Sequence, residues 1–326
     1  MPSLRRFVKE LDEREHVDQI FLVADKQLRA NRNGNLYMQL RLTDKTGSLT
    51  GMLWNATDGV FNSVETGNYA RVSGTTQIHN GQMQMIVTRV EPADTREVDE
   101  QDFITVSTAD IDKLGKRLVE LLRGVSNVHL RNLAECFLAD EEFMGKFMSA
   151  PAGVKNHHAY RGGLLAHVVS LMEACRAVAP LYPELDGDLL CLGAFLHDAG
   201  KIDELTYERE LGYSDEGQLI GHVVMVLSTV EDKIAESENL AQEKFPRELM
   251  LRLKHLIVSH HGEYQFGSPK LPMTLEAITL HLLDNLDAKL YSVMQLLRED
   301  AGSESAWTSY NQALGRKFFK GLPKKE

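Results

Sequence analysis

The stretch "FLHDAGK", residues 195–201, ends the apolar run Cys191-Leu192-Gly193-Ala194-Phe195-Leu196 with His197 and Asp198 side by side. A run this apolar goes into a core, and a carboxylate carried in with it is costly unless something pairs with it. Two partners are at hand: a bound cation, or the ammonium of Lys201 one helical turn further on. The choice depends on whether the rest of the chain supplies more ligands.

Around this stretch the apolar residues recur at three- and four-residue steps, the period of a helix packed on one face. IDKLGKRLVELLRGV and LRNLAECFLADEEFMGKFM show it first. GGLLAHVVSLMEACRAVA, GHVVMVLSTVEDKIAE, RELMLRLKHLIVSHH and TLEAITLHLLDNLDAKLYSVMQLLRE follow, so everything from residue 108 onward reads as all-α. Several of these helices carry a metal-binding type of side chain: His167 within one, His222 opening another, His260-His261 closing a third before Gly262, and Asp284 in the last. Neutral imidazoles and carboxylates suit Mn, Fe, Ni or Zn. Each signal alone has a plain structural explanation. A single helical histidine is usually a core or surface residue, Asp198 can pair with Lys201, and His-His before Gly can be a helix C-cap. The joint order H…HD…H…HH…D favours the metal.

Upstream, residues 17–91 change period. HVDQIFLVADKQLRA, NLYMQLRLTD, GSLTGMLW, YARVSGTTQI and QMQMIVTRVE alternate with a period near two, separated by Asn33-Gly34, Asp44-Lys45-Thr46-Gly47 and Asn80-Gly81. Five strands of this length predict an OB-type barrel. The polar, acidic segment 92–107 reads as a linker. The expected organisation is therefore multidomain: an OB-type barrel at 1–95, a linker and connecting helix at 96–125, an all-α domain at 126–315 and a basic tail at 316–326.

Composition narrows the function. The 326 residues carry a net charge of −11, which argues against a broad electrostatic grip on nucleic acid. Residues 1–95 hold 11 basic and 11 acidic side chains, so the whole deficit lies further on. Cys136, Cys175 and Cys191 are scattered without a CxxC pair, which disfavours a disulfide framework and a thiolate zinc site. No apolar stretch reaches the roughly 18 residues of a membrane span, and the N-terminus lacks the apolar core of a signal peptide. A cytoplasmic protein without a membrane partner is expected.

The order of histidines and aspartates resembles the HD-domain superfamily of metal-dependent phosphohydrolases, with intervals of 30, 24, 38 and 23 residues between successive motifs. The resemblance implies that His167, His197, Asp198 and Asp284 hold one ion and that His222, His260 and His261 hold a second, with Asp198 bridging. Two divalent ions outweigh the two carboxylates, so a cationic pocket able to attract a phosphodiester can exist inside an acidic protein. Asp198 then tolerates its apolar surroundings because cations neutralise it. Lys201 is a candidate catalytic residue, offering its ammonium to a phosphate oxygen, with a salt bridge as the plainer alternative.

"FMSAPAGVKNHHAYRGGLLAHV", "GQLIGHVVM", "SHHGEYQFGSP" and "LHLLDNLDAKL" narrow the resemblance to the YhaM-type 3′→5′ exoribonucleases, which join an N-terminal OB-type domain to a C-terminal HD domain. The loop after His261 reads GEYQFGSPKLP without a GYP, which disfavours the HD-GYP cyclic-dinucleotide enzymes. The resemblance implies Mn2+ first, with Fe, Ni, Co or Zn as alternatives. It implies single-stranded RNA as the partner, and leaves open whether single-stranded DNA is also cut and whether copies form a homo-oligomer. His157, His158 and Arg161, just before the first ligand helix, are candidates for phosphate or sugar contact. His281, one turn before Asp284, reads as a packing residue, with support of the ligands as the alternative. On the barrel, Arg29, Arg32, Tyr37, Arg41, Trp54 and Arg71 are candidates for holding the strand, by charge along the backbone and rings under the bases. A phosphodiesterase for a small nucleotide and a non-catalytic nucleic-acid-binding regulator are the competing functions; the full set of seven ligands disfavours the second.

Overall fold

In the computed structural model of the chain, the five alternating runs become five strands: β1 (His16–Ala30), β2 (Leu36–Asp44), β3 (Gly47–Trp54), β4 (Tyr69–His79) and β5 (Gln82–Pro92). The structure describes residues 5–79, 82–99, 102–103, 108–154, 160–207, 212–299, 305–312 and 314–322. The Asn80-Gly81 turn therefore lies outside the described residues. The strands close into a barrel in the order β1-β2-β3-β5-β4. Pairing is antiparallel except between β3 and β5, which run parallel.

Alternation sets which face is inside. On β2, Met38, Leu40 and Leu42 are buried while Arg41 is exposed. They join Phe21, Val23, Leu49, Val72, Met85 and Val87 in one core. The β2–β3 turn is held by buried Asp44, whose Oδ1 accepts from the backbone N–H of Thr46 (2.7 Å) and Gly47 (3.2 Å). A short helix, α1 (Asp58–Ser63), follows β3 and is N-capped by Thr57. The polar linker also contributes to this unit: Phe103 packs on Tyr69 with ring centroids 4.7 Å apart. The chain divides into two compact units, Met1–Thr105 with Val293–Glu326, and Val106–Ser292. Near the C-terminus Trp307 and Phe319 form an antiparallel bridge with their rings 5.1 Å apart, so one tail phenylalanine is engaged.

The second unit is built from helices: α2 (Thr108–Arg123), α3 (Val128–Leu138), α4 (Glu141–Ser149), α5 (Gly163–Val178), α6 (Gly187–Leu196), α7 (Lys201–Glu204), α8 (Asp215–Ile220), α9 (His222–Ala241), α10 (Arg247–Ser259) and α11 (Leu275–Glu299). The apparently continuous periodicity of 130–148 is two helices, because the Asp140 side chain accepts from Phe143 N–H and starts α4. A two-stranded hairpin, β6 (Leu205–Thr206) with β7 (Gly212–Tyr213), follows α7.

Every residue of α6 from Leu189 to Leu196 is buried. It is apolar all round, as a central helix must be. Phe195 meets Phe137, Phe143 and Phe147 edge-on or tilted in the same core. One sequence-level expectation changes here. Gly163–Leu181 is long and apolar enough to cross a bilayer by length and composition alone. In the fold its Leu164, Leu165, Val168, Leu171 and Met172 are fully buried core residues. Burial also raises the thiols of Cys175 and Cys191, so both are neutral core residues.

Candidate metal centre

Five helices deliver the metal-binding side chains to one place. His167 comes from α5, His197 caps the end of α6, and Asp198 follows it. His222 opens α9, His260 caps α10 with His261 next, and Asp284 lies within α11. They form two clusters, His167/His197/Asp284 and His222/His260/His261, and within each the donor atoms lie within 4.8 Å of one another. Asp198 stands between them. Its Oδ2 is 3.4 Å from His197 Nε2 and 3.9 Å from His167 Nε2, while its Oδ1 is 3.4 Å from His222 Nε2 and 3.6 Å from His260 Nε2.

The outer nitrogens of four rings are already committed. His197 Nδ1 faces the Ala194 carbonyl (2.8 Å) and His260 Nδ1 the Ile257 carbonyl (2.7 Å). His222 Nδ1 faces Glu204 (2.9 Å) and His167 Nδ1 faces Asp287 (2.8 Å). All four partners are acceptors, so each Nδ1 carries the proton and each Nε2 keeps a lone pair turned inward. In the first cluster, His167 Nε2 lies 3.4 Å from His197 Nε2 and 3.3 Å from Asp284 Oδ1, which are acceptors meeting acceptors. In the second, the buried atoms Asp198 Oδ1, His222 Nε2, His260 Nε2 and His261 Nδ1 have no hydrogen-bond partner. They are four of the six such atoms among the described residues. Each unsatisfied group costs about 1–3 kcal/mol, and four converging on one point call for a cation. The donor set, imidazole with carboxylate and no thiolate, fits a divalent transition metal.

The electrostatics agree. Burial opposes charge on Asp198, yet Lys201 and His197 hold its carboxyl well below the usual carboxylate range. His260 is lowered by burial and then by His197, and His261 by burial and then by His222, so both rings are neutral and ligand-competent. Burial also disfavours a proton on His167, but Asp284 and Asp287 raise its pKa to about 9. Without a cation the ring therefore takes a second proton on Nε2, supplying the positive charge that a bound ion would bring in its place.

Close packing sets the geometry. A Cβ on Gly200 would fall 2.2 Å from the His222 carbonyl oxygen, so glycine alone lets the turn after His197-Asp198 reach the start of α9. Gly262 has φ +79°, and a Cβ there would strike the His281 ring at 2.0 Å. His281 uses that room to donate from Nδ1 to the His260 carbonyl (2.9 Å), which ties α11 to the end of α10.

Lys201 Nζ donates to Asp198 Oδ2 (2.6 Å) and to the Ala152 carbonyl (2.8 Å). Arg161 is exposed just before α5, while His157 and His158 lie outside the described residues. Glu204 and Asp287, which orient two of the rings, were not anticipated from sequence. Asp287 had a signal, standing one turn after Asp284 on the same helix. Glu204 had none, because its partner lies 18 residues away across a glycine contact.

On the barrel, Arg29, Tyr37 and Trp54 are register partners across β1, β2 and β3, with the Tyr37 and Trp54 rings 5.3 Å apart. Arg41 is exposed on β2 opposite Thr50, and Arg32 is exposed in the β1–β2 turn. Arg71 is separate from this set. It sits on β4 and is committed to Glu97 (2.7 Å) and Asp18 (3.6 Å).

A closed barrel of this strand order, followed by helices that gather an HD dipeptide and its companion ligands, defines a two-domain metal-dependent phosphohydrolase of the HD superfamily. Residues 164–289 match the HD domain, and residues 22–93 match the OB-fold nucleic acid binding domain. The chain is 34% identical over 279 residues to the 3′-5′ exoribonuclease YhaM of Bacillus velezensis, covering 85% of this chain and 86% of that one. The 3′-5′ exoribonuclease YhaM of Bacillus subtilis matches with the same identity and coverage. The chain belongs to the YhaM family. Among solved structures, the second OB-fold domain of replication protein A from Methanococcus maripaludis covers 29% of this chain at 21% identity with a TM-score of 0.22.

Proposed function

We propose that the chain is a 3′→5′ exoribonuclease that hydrolyses phosphodiester bonds in single-stranded RNA, with His167, His197, Asp198 and Asp284 holding one divalent ion and Asp198, His222, His260 and His261 a second. The observation that carries this is the set of inward-facing acceptors on both sides of Asp198, four of them buried without partners. Manganese is the first choice of metal. Ions held there supply Lewis acidity toward a phosphate and hydroxide near neutral pH.

The chain's own residues do the rest. Glu204, Asp287 and the Ala194 and Ile257 carbonyls fix the tautomers, so that each Nε2 is available without rearrangement. Lys201 holds Asp198 Oδ2 in place and has three N–H donors, of which two are used. The third can reach a phosphate oxygen. Arg29, Tyr37, Arg41 and Trp54 present charge and ring faces on one side of the barrel, the combination that holds single strands without reading sequence. That face and the YhaM relationship favour RNA over a small nucleotide.

The test is to incubate the full chain with 5′-labelled RNA and Mn2+, with and without chelator. A metal-dependent ladder of progressively shorter labelled products is expected. Immediate release of a labelled mononucleotide would reverse the polarity, and chelator-resistant cleavage would refute the metal chemistry.

A further inference from the structure

Of the seven ligand residues, five are buried, and His261 and Asp284 alone are partly exposed, so the centre opens to solvent on their side. The chain beyond His261 forms one 3-10 turn, Tyr264–Phe266. Its backbone is tied down. Phe266 N–H donates to the Glu263 carbonyl (3.0 Å), Gly267 N–H to Tyr264 (3.0 Å), and Lys270 N–H to Val258 of α10 (3.2 Å). The buried Ser268 hydroxyl donates to the Lys270 carbonyl (2.7 Å). A Cβ on Gly267 would stand 4.0 Å from His261 Nδ1, so the turn curls back over that ligand. On this anchored turn Tyr264 is 64% exposed and Phe266 63% exposed.

Two large rings held in water by a fixed backbone, three and five residues beyond His261, contribute nothing to the core. Glu263 is exposed in the same turn, so charge does not recommend the turn to a phosphate. A ring face recommends it to a nucleobase, because every base has a π-face and stacks whatever its identity.

We propose that Tyr264 and Phe266 form a base-stacking platform at the mouth of the metal centre, which grips the bases beside the scissile phosphodiester of single-stranded RNA. The proposal rests on the RNA-hydrolase function above and adds the side chains that seat the substrate end. Both rings are positioning residues. They hold nucleotides in register with the cleft while the metal ligands remain unchanged.

The test measures binding and turnover separately. Binding of a short 5′-fluorescent oligoribonucleotide to the full chain is followed by anisotropy in EDTA, and KM and kcat are measured in Mn2+. Tyr264→Ala and Phe266→Ala should each raise Kd and KM by about fivefold to hundredfold, the range for losing one stacked base, with kcat within about twofold. Tyr264→Phe should behave as the unaltered chain, because the ring face is kept. An oligonucleotide lacking its two 3′-terminal bases should bind the unaltered chain as weakly as the alanine variants bind intact RNA, with no further loss in those variants. Both rings are exposed, so folding is not at stake, and thermal melts should coincide. Unchanged Kd and KM in the double alanine variant would overturn the platform. So would a fall in oligomer mass that accounts for the loss of activity, since the rings would then be a self-association contact. Failure of the unaltered chain to cut RNA would refute the hydrolase function, while the EDTA binding series would still decide the stacking.

Discussion

Asp198 is where burial and charge meet, 3% exposed with one oxygen turned to each histidine cluster. Removing it leaves two sets of imidazoles with no shared carboxylate. Asp198→Ala should abolish hydrolysis while RNA binding by the folded chain persists, and full activity in a folded variant would refute the mechanism. Glu204 and Asp287 act one step out, by holding protons on His222 and His167. Glu204→Gln and Asp287→Asn should weaken Mn2+ activation by about 10–100-fold, with activity recovered at high Mn2+. A loss that no metal concentration recovers would show that these carboxylates serve another purpose. The seven candidate ligands stood out in sequence through their joint order H…HD…H…HH…D, since each alone has a plain structural explanation. Of the carboxylates behind them, Asp287 had a signal in standing one turn after Asp284, whereas Glu204 had none, since it becomes functional only through His222, 18 residues away.

At the scale of elements, the helices that carry the ligands are locked by polar ties as well as by the core. Glu276, on α11, accepts from the Asp186 backbone N–H at the start of α6 (3.0 Å) and from Arg252 Nη2 of α10 (2.8 Å). Burial alone would raise its pKa, but these donors hold it below the usual carboxylate range. A depressed folded value means that the stabilisation is present above the unfolded pKa, about 4.3, and is lost as pH falls through the lower folded value. Glu276→Gln should therefore cost about 1–3 kcal/mol at pH 7, and the difference from the unaltered chain should shrink below about pH 4. Urea melts at both pH values measure this, and a pH-independent difference would rule out the charge as the cause. The strands and longer helices were readable from period alone, because each buries one face over many residues. α1 and the β6–β7 hairpin were not, since six residues and two pairs are too short to show a period. The division between α3 and α4 was hidden because Asp140 interrupts a pattern that is apolar on both sides.

For the molecule as a whole, a net charge of −11 means that nucleic acid is held by local features. The barrel face of Arg29, Tyr37, Arg41 and Trp54 is the one we propose. Replacing both Arg29 and Arg41 with Gln should weaken RNA binding at low salt, and the slope of log K against log salt should fall by about one for each phosphate no longer neutralised. An unchanged slope would mean that the strand runs elsewhere. The central claim is that two divalent ions sit on opposite sides of Asp198, and anomalous diffraction at the manganese edge from crystals of the Mn2+-loaded chain tests it most directly. Two peaks are expected, each roughly 2.0–2.3 Å from its ligand atoms: one among His167, His197 and Asp284, the other among His222, His260 and His261. A single peak, with the Nε2 atoms of His222 and His260 turned away from Asp198, would contradict it.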